Sequence, residues 1–220
     1  MFRQRFLARF RKVGDLRFVG HADLMRTFER ALRRTGLPLR MTEGFNPHPK
    51  ISFPAPLAVG WEGEQEVMEF ELAEWVPLEE VVARLAAQLP QIAGGRGALE
   101  LVSVKLAPPV GKAQPVEAEY VIEPDEDSPV ISEESVRQFM AQTEVWAVRQ
   151  RKGGPKRDNI RSFVREVMLE SEGRIRMRMA LSPSGTARPD EVLVALGVKP
   201  EDAREKYWIR RTAVRLQATG

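Results

Sequence analysis

A βαββαβ order of strands and helices, met twice along the chain, predicts an α+β protein with two ferredoxin-like units in tandem. Each unit is expected to form an antiparallel sheet with its helices on one face. Apolar residues alternate at period two in the strand candidates and recur at helical spacing in the helix candidates. A proline-rich segment, PPVGKAQP at 108–115, separates the halves and predicts domains at 1–107 and 116–220.

The first unit is expected to begin with a strand at 2–12, where arginines alternate loosely with apolar residues. An apolar stripe at helical spacing predicts a helix over HADLMRTFERALRRTG, which ends at Gly36. LPLRMTE is predicted as a strand, and KISF as a strand or the approach to one. QEVMEFELAE and ALELVSVKLAP are predicted strands around a helix over PLEEVVARLAAQLP and a turn at GGRG.

The second half repeats this order more loosely. VEAEYVIEP is a predicted strand, and SEESVRQFMAQTE is a predicted helix with a capping-box start at Ser132. VWAVRQRKG is a predicted strand, RQRKGGPKRDNIR is typical of a basic hairpin, and part of RDNIRSFVREVMLE is expected to be strand. GRIRMRMALSP alternates arginine with apolar residues, Pro189 opens a short helix, and YWIRRTAVRLQ is the predicted final strand.

Composition excludes several classes of chemistry. The chain has 220 residues and no cysteine, which excludes disulfides, thiolate nucleophiles and cysteine-ligated metal sites, and favours a cytoplasmic location. No apolar run reaches the roughly 18 residues of a membrane span, and no glycine-rich nucleotide-binding fingerprint occurs. Neither a cofactor, a metal nor a membrane is therefore expected as a partner.

Charge is distributed unevenly although the net charge is only +3. Residues 1–50 carry +8, residues 51–140 carry −12 and residues 141–220 carry +7. If both basic segments contribute to one face, that face would attract phosphate backbones or an acidic partner. The alternative is that the basic ends pair with the acidic middle, whose run from Glu62 to Glu71 is interpreted as the solvated face of a strand.

The two histidines are the candidate catalytic residues. His21 opens the arginine-rich helix, and His48 lies between two prolines in GFNPHPKISF. Together they could supply acid and base for RNA cleavage or bind a metal, but two histidines are too few for an all-histidine catalytic zinc site. The alternative is that His21 is only a helix N-terminal residue and that His48 only fills a turn.

Basic and aromatic side chains are the candidate nucleic-acid contacts, because arginine binds phosphates bidentately and stacks on bases. The turn in GFNPHPKISF would hold its side chains beside the basic helix as a recognition loop, or would only lock the strand at Ile51–Phe53. Solvated surface is the alternative for the whole set. The candidates are Arg26, Arg30, Arg33, Arg34, Phe45, Asn46, His48, Lys50, Arg151, Lys152, Lys156 and Arg157.

The long stretch KVGDLRFVGHADLMRTFERALRRTGLPLRMTEGFNPHPKISFPAPLAVG resembles the opening of a bacterial family of uncharacterised domains linked to radical S-adenosylmethionine (radical SAM) proteins. RDNIRSFVREVML and SGTARPDEVLVALG extend the resemblance over nearly the whole chain. One departure is Gly20, where the family usually has a serine before the residue matching His21.

The resemblance implies a radical SAM protein as partner, and no established reaction. Three functions follow as hypotheses. The chain is a non-catalytic accessory protein that binds RNA or a ribosome-related substrate for a separate radical SAM enzyme. Alternatively, it docks on that enzyme without contacting RNA, or it is a metal-independent ribonuclease that uses His21 or His48.

Overall fold

A computed structural model describes residues 3–92, 97–108 and 111–217. The chain is a mixed α and β protein with mostly antiparallel strands and a few helices. It divides into two compact units, Met1–Pro115 with Leu216–Gly220, and Val116–Arg215. The domain bounds predicted from the sequence, 1–107 and 116–220, differ slightly from this division and stay a prediction.

The first unit contains five strands and two helices in its described residues. Its strand order is β2-β3-β1-β5-β4, and each pair is antiparallel. A short 3₁₀ helix at Asp15–Phe18 joins β1 to α1. The elements are β1 Gln4–Gly14, α1 His21–Arg34, β2 Ile51–Ser52, β3 Glu62–Leu72, α2 Leu78–Ala86, β4 Gln91–Ile92 and β5 Gly97–Leu106.

The core of the first unit explains where its helices lie. Phe6 of β1 stacks on Phe70 of β3 with ring centroids 5.1 Å apart, and Phe10 meets Phe28 of α1 edge-on at 4.7 Å. The apolar stripes of both helices join these rings in one buried cluster. Alternation along each strand puts every second side chain on this face, so the other face carries Arg5, Glu69 and Glu71.

The second unit orders its strands as β9-β10-β6-β12, and β11 also pairs with β10. β7 and β8 form a separate two-stranded antiparallel sheet. Short 3₁₀ helices lie at Arg161–Phe163 and Ser171–Gly173. The elements are β6 Pro115–Pro124, α3 Glu133–Ala141, β7 Trp146–Arg151, β8 Gly154–Asn159, β9 Val164–Leu169, β10 Ile175–Ser182, β11 Gly185–Thr186, α4 Pro189–Ala195, α5 Asp202–Glu205 and β12 Tyr207–Leu216.

Most predicted elements are confirmed, with local corrections. LPLRMTE is not a strand but makes two isolated bridges, Leu39 with Leu72 and Met41 with Pro49. Pro38 has no N–H to give a ladder, so the segment pairs only at single points. Ser132 is the N-cap of α3 and accepts from the Ser135 amide, but the third helical position holds serine rather than the glutamate of a full capping box.

Some predictions fall outside the described residues. The predicted first strand starts at residue 2, the GGRG turn includes residues 94–96, and the PPVGKAQP segment includes residues 109 and 110. None of the helices in the described parts of the chain combines the length and the apolar character that crossing a bilayer requires.

Candidate functional site

The GFNPHP stretch is an exposed turn closed by paired hydrogen bonds. The Thr42 amide donates to the His48 carbonyl over 2.7 Å, and the His48 amide donates to Thr42 Oγ1 over 3.0 Å. Gly44 has φ = 124°, a conformation that side chains disfavour. Phe45, at the tip, is fully exposed. The turn therefore presents an aromatic ring to solvent at a fixed position.

Outside this turn, two flanking residues are brought together. The Lys50 amide donates to the Arg40 carbonyl over 2.8 Å, and Met41 bridges to Pro49. The turn thus folds the chain back on itself and places Arg40 beside Lys50. Both predicted roles of the stretch, recognition loop and rigid crossover, fit this arrangement and stay predictions.

Helix α1 carries the first group of candidate arginines on its exposed face. Arg26 pairs with Asp23 at 2.9 Å, whereas Arg30 donates to Thr27 and Arg34 to Gln88. Arg33 Nη2 lies 3.4 Å from the Pro47 carbonyl, which connects the helix to the GFNPHP turn. Among the described residues, no carboxylate lies within 4 Å of Arg30, Arg33 or Arg34, so these three charges are not neutralised by ion pairs.

Both histidines are exposed, but the His21 ring also touches a core side chain. The His21 ring meets Phe53 edge-on, with centroids 5.7 Å apart, and Phe53 belongs to the buried cluster. His48 is exposed on the turn. The Gly20 N-cap makes no side-chain hydrogen bond, which agrees with the absence of a serine there. His21 is therefore an exposed ring with one contact to the core, and ribonuclease chemistry stays a hypothesis.

The acidic run on β3 is largely buried, so its interpretation as solvated surface is wrong. Glu62, Glu66 and Glu69 are all less than one tenth exposed. Arg5 of β1, whose side chain is 5% exposed, donates to Glu69 over 2.9 Å and lies 3.8 Å from Glu71. In the register of β1 against β3, Arg5 lies opposite Glu71 and Leu7 lies opposite Glu69, so Arg5 is diagonal to Glu69. Arg3 and Arg5 are two positions apart, as are Glu69 and Glu71, and this spacing was visible in the sequence.

A cleft in the first unit gathers the residues around these glutamates. Its volume is about 370 Å³. We call it the cationic cleft, because five cationic side chains line it against two carboxylates. The lining is Arg3, Arg5, Arg40, Thr42, Lys50, Ile51, Ser52, Glu69, Phe70, Glu71 and Lys112. Of these, only Lys50 was expected at a binding site from the sequence.

Ion pairs in the cationic cleft hold both carboxylates. Glu71 accepts from Arg3 over 2.7 Å and from Arg40 over 3.2 Å. Glu69 accepts from Arg5, from the Ser52 hydroxyl over 3.3 Å and from the Ala113 amide over 3.0 Å. Within the described chain, neither lysine of the cleft, Lys50 nor Lys112, lies within 4 Å of a carboxylate. The cleft therefore carries an excess of positive charge.

The β7–β8 hairpin, which we call the basic ribbon (146–159), has two different faces. Val148 pairs with Arg157, so both side chains share one face, and Arg157 lies over the Trp146 ring at 5.3 Å from its centroid. Trp146 is 48% exposed and Val148 is 64% exposed. One face of the ribbon is consequently an exposed arginine–tryptophan stack beside an apolar side chain.

The opposite face of the basic ribbon is anchored by Arg149. Its guanidinium donates to both carboxylate oxygens of Glu191 at 2.6 Å and to the Thr186 carbonyl at 2.6 Å. The hydrogen bond to Glu191 raises the pKa of Arg149 despite partial burial. An isolated two-stranded hairpin is marginally stable in water, so this bidentate pair stabilises the ribbon against α4.

Two lysines of the basic ribbon have no ion pair in the described part of the chain: Lys152 lies in its turn, and Lys156 lies opposite Arg149 in the middle of the ladder. Lys152 and Lys156 are exposed, and within the described residues neither has a carboxylate within 4 Å. Arg151, in contrast, pairs with Asp158. Four predicted nucleic-acid contacts thus lie on one ribbon of the second unit, while the other eight lie on α1 and around the GFNPHP turn of the first.

Metal coordination has no geometric basis in the described residues. In that part of the chain, no group of three or more histidine, aspartate or glutamate side chains is placed to hold a metal ion. The buried glutamates instead accept hydrogen bonds from arginine side chains and backbone amides, as Glu69 does.

Comparison with known proteins gives a family and no activity. No curated protein matches the chain. A family model described as "Uncharacterized protein conserved in bacteria (DUF2344)" matches residues 5–189. That span includes most of β1, all of α1, the GFNPHP turn and the basic ribbon. The link to radical SAM proteins stays a prediction. Because the match covers most of its length, the chain belongs to this uncharacterised family conserved in bacteria.

Proposed function

We propose that this protein binds single-stranded RNA and is a non-catalytic accessory protein. The observation that carries the proposal is the exposed face of the basic ribbon, where Arg157 lies over the Trp146 ring. Lys152, in the turn of the ribbon, and Lys156, on the opposite face beside Arg149, add two cations that are unpaired among the described residues. Proteins that bind single strands combine an aromatic platform for bases with cations that follow the phosphates. The proposed target is an RNA in the cytoplasm, the location that the sequence favours for this protein.

The exposed face of α1 and the adjacent turn supply a second candidate contact. Arg30, Arg33 and Arg34 are not neutralised by ion pairs, and Phe45 is fully exposed on a turn connected to Arg33. An exposed aromatic ring beside unneutralised cations is the combination that base stacking on a single strand requires. Stacking of a base on Phe45, with phosphates on the arginines, accounts for both features.

The partner that we propose is a separate radical SAM enzyme, to which the protein would present RNA or a ribosome-related substrate. The family resemblance motivates this part, and the chain has no cysteine to hold a radical cluster itself. Co-purification with such an enzyme, with and without ribonuclease, tests it. A complex that survives ribonuclease but binds no RNA would support the protein-docking alternative instead.

We also propose that both units are ferredoxin-like. In support, the orders β2-β3-β1-β5 and β9-β10-β6-β12 place the first strand of each half between the third and the fourth of its βαββαβ series. The basic ribbon is then an insertion between the first helix and the second strand of the second unit.

The experiment is fluorescence anisotropy of a labelled single-stranded RNA, titrated with the pure protein across a series of salt concentrations. Affinity is expected to fall linearly on logarithmic axes, because bound lysines and arginines displace counterions. Trp146→Ala should weaken binding about tenfold, the effect typical of removing one stacking platform. The Lys152→Ala/Lys156→Ala variant should lower the magnitude of the salt slope by about 0.7 for each phosphate that it no longer neutralises.

Matched variants show whether a loss of RNA affinity is specific to the proposed contact residues. Lys105→Ala removes one positive charge from an exposed strand position in the first unit and should leave affinity unchanged. Arg30→Ala/Arg33→Ala/Arg34→Ala reports on the α1 surface separately. Absence of binding at low salt, or binding that neither the ribbon nor the α1 variants weaken, would overturn the RNA proposal.

A further inference from the structure

The cationic cleft has the composition of an anion site rather than of a structural ion-pair network alone. Its five cations outnumber its two carboxylates. Here Arg3, Arg5 and Arg40 already satisfy Glu69 and Glu71. The two lysines, Lys50 and Lys112, are additional charges that line the same cleft.

The cleft also offers hydrogen-bond donors beyond those that its ion pairs use. Arg40 shows one hydrogen bond, from Nη1 to Glu71, although a guanidinium has five N–H donors. The Thr42 hydroxyl accepts from the His48 amide, which leaves its own proton available to donate. The side chains of Glu69 and Glu71 are 9% and 15% exposed, whereas those of Arg3 and Arg40 are 42% and 22% exposed, so the arginines are more accessible to an entering group than the carboxylates are.

The cleft is held in shape by the fold. The GFNPHP turn brings Arg40, Thr42 and Lys50 together through the Lys50 amide and the paired bonds between Thr42 and His48. Lys112 comes from the segment after β5, which the Ala113 amide attaches to Glu69. Preorganised charges bind with a smaller cost in side-chain entropy than mobile ones.

We propose that the cationic cleft binds a phosphate monoester group. A phosphate carries a charge between −1 and −2 near pH 7, with three acceptor oxygens, which matches two unpaired ammonium groups with additional N–H and O–H donors. The volume of about 370 Å³ lies within the range of ligand sites, so the cleft has room for the phosphate and for part of the molecule that carries it. The site lies within the first unit and does not depend on RNA binding by the ribbon.

Two sources could supply that phosphate, a free mononucleotide or the 5′ end of an RNA. The test follows backbone amide shifts by NMR while adenosine monophosphate, adenosine, inorganic phosphate or acetate is added at constant ionic strength. We expect saturable shifts at Thr42, Ser52 and Ala113 with adenosine monophosphate and with inorganic phosphate. We expect none with adenosine or acetate. Equal shifts with acetate, or phosphate shifts absent from these amides, would overturn the phosphate assignment.

Variants test which positively charged side chains bind the phosphate. Lys50→Gln/Lys112→Gln should weaken adenosine monophosphate binding at least about tenfold, because it removes two charge-assisted hydrogen bonds. Lys105→Gln is the matched control for charge, and Trp146→Ala is the control for the ribbon. Both should bind adenosine monophosphate as the parent does. Undiminished binding by the double lysine variant, with unchanged thermal stability, would overturn the proposal.

A pair of short RNAs distinguishes the sources. If a 5′-phosphorylated oligonucleotide occupies the cleft more tightly than adenosine monophosphate does, while its 5′-hydroxyl counterpart leaves the cleft amides unshifted, the ligand is an RNA end. If adenosine monophosphate binds equally well, the ligand is a small phosphate ester. Either result supports a phosphate site, and failure of the ribbon to bind RNA would leave the mononucleotide titration unaffected.

Discussion

Buried charges in this protein are held by specific partners. The Arg5 and Glu69 side chains are 5% and 9% exposed, and their pair is part of a wider set that includes Glu71. Arg11 and Glu100 form a similar contact at 2.9 Å, but about two fifths of each side chain is exposed. Burial, and not distance, is expected to distinguish the effects of these two pairs on stability, because water screens only the exposed one.

Arg5→Met should therefore lower the free energy of unfolding by about 3–5 kcal/mol, because it leaves a buried carboxylate without its partner. Arg11→Met, at the exposed pair, should cost no more than about 1 kcal/mol. Urea denaturation followed by circular dichroism measures both. Similar decreases in the two variants would contradict the importance assigned to burial.

Asp190 is a carboxylate whose environment disfavours its charge. Its Oδ1 is buried and has no hydrogen-bond partner among the described residues, and Arg204 lies 3.8 Å from Oδ2. Burial raises the pKa of Asp190, with a further contribution from the charge of Glu191. Because the folded state holds the proton more tightly, this group contributes stability below its unfolded pKa of about 4 and loses it as pH rises through the folded pKa.

Asp190→Asn should thus gain stability relative to the parent as pH rises from below 4 toward neutrality, because the variant does not have to bury a charge. The free energy of unfolding in urea, measured at a series of pH values, tests this. Asp127→Asn, which changes a carboxyl at an exposed position, is the matched variant. If the stability difference between the Asp190→Asn variant and the parent does not change with pH, the assigned cause is wrong.

Among the secondary-structure elements, the basic ribbon depends most on a side-chain anchor. Its sheet has only two strands, and Arg149 connects it to Glu191 of α4 and to the Thr186 carbonyl. Charge-assisted bidentate pairs of this kind are about twice as strong as neutral hydrogen bonds. The anchor therefore fixes the stacking face of the ribbon in place, although the two-stranded ribbon has no hydrophobic core of its own.

Arg149→Ala should raise hydrogen exchange at the β7 and β8 amides about tenfold or more, because local opening becomes easier. Exchange in β1 and β3 should not change. Arg151→Ala, which removes the exposed pair with Asp158, is the control and should have a smaller effect. Uniform acceleration across the chain would instead indicate global destabilisation, against a role confined to the ribbon.

At the scale of the whole molecule, ion pairs in the folded chain partly neutralise the uneven charge along the sequence. Arginines of the basic N-terminal segment pair with glutamates of the acidic middle, as Arg3 and Arg40 do with Glu71. Arg215 likewise pairs with Glu119 at 2.6 Å. Among the described residues of these surfaces, the charges without an ion pair are local: Arg30, Arg33 and Arg34 of α1, Lys152, Lys156 and Arg157 of the basic ribbon, and the two lysines of the cationic cleft.

The proposed accessory role predicts that the purified chain leaves RNA intact. His21 packs against Phe53 and His48 lies on an exposed turn, and among the described residues neither ring has a carboxylate within 4 Å to orient it as a base. Gel analysis of labelled RNA after prolonged incubation measures this. Cleavage that disappears in a folded His48→Ala variant would establish the ribonuclease alternative.

Local pattern was enough to locate most of the helices and strands. Period-two alternation marked β1, β3 and β10, and the apolar stripe of α1 matched its buried residues, because both depend on neighbours within a few positions. The basic hairpin was likewise visible in RQRKGGPKRDNIR. Its arginine–tryptophan stack was not, since it needs the register of β7 against β8.

The cationic cleft and the buried glutamates required the tertiary structure. The same alternation of residues is found whether the polar face of a strand is solvated or covered by other parts of the protein. The sequence alone therefore predicted that Glu62–Glu71 are exposed to solvent. In the fold, Arg5, Arg40, Lys50 and Lys112 come from β1, the segment before the turn, the segment after it and the segment after β5. Periodicity describes neighbours along one element, whereas this site arises from contacts between residues up to about a hundred positions apart, which only chain topology brings together.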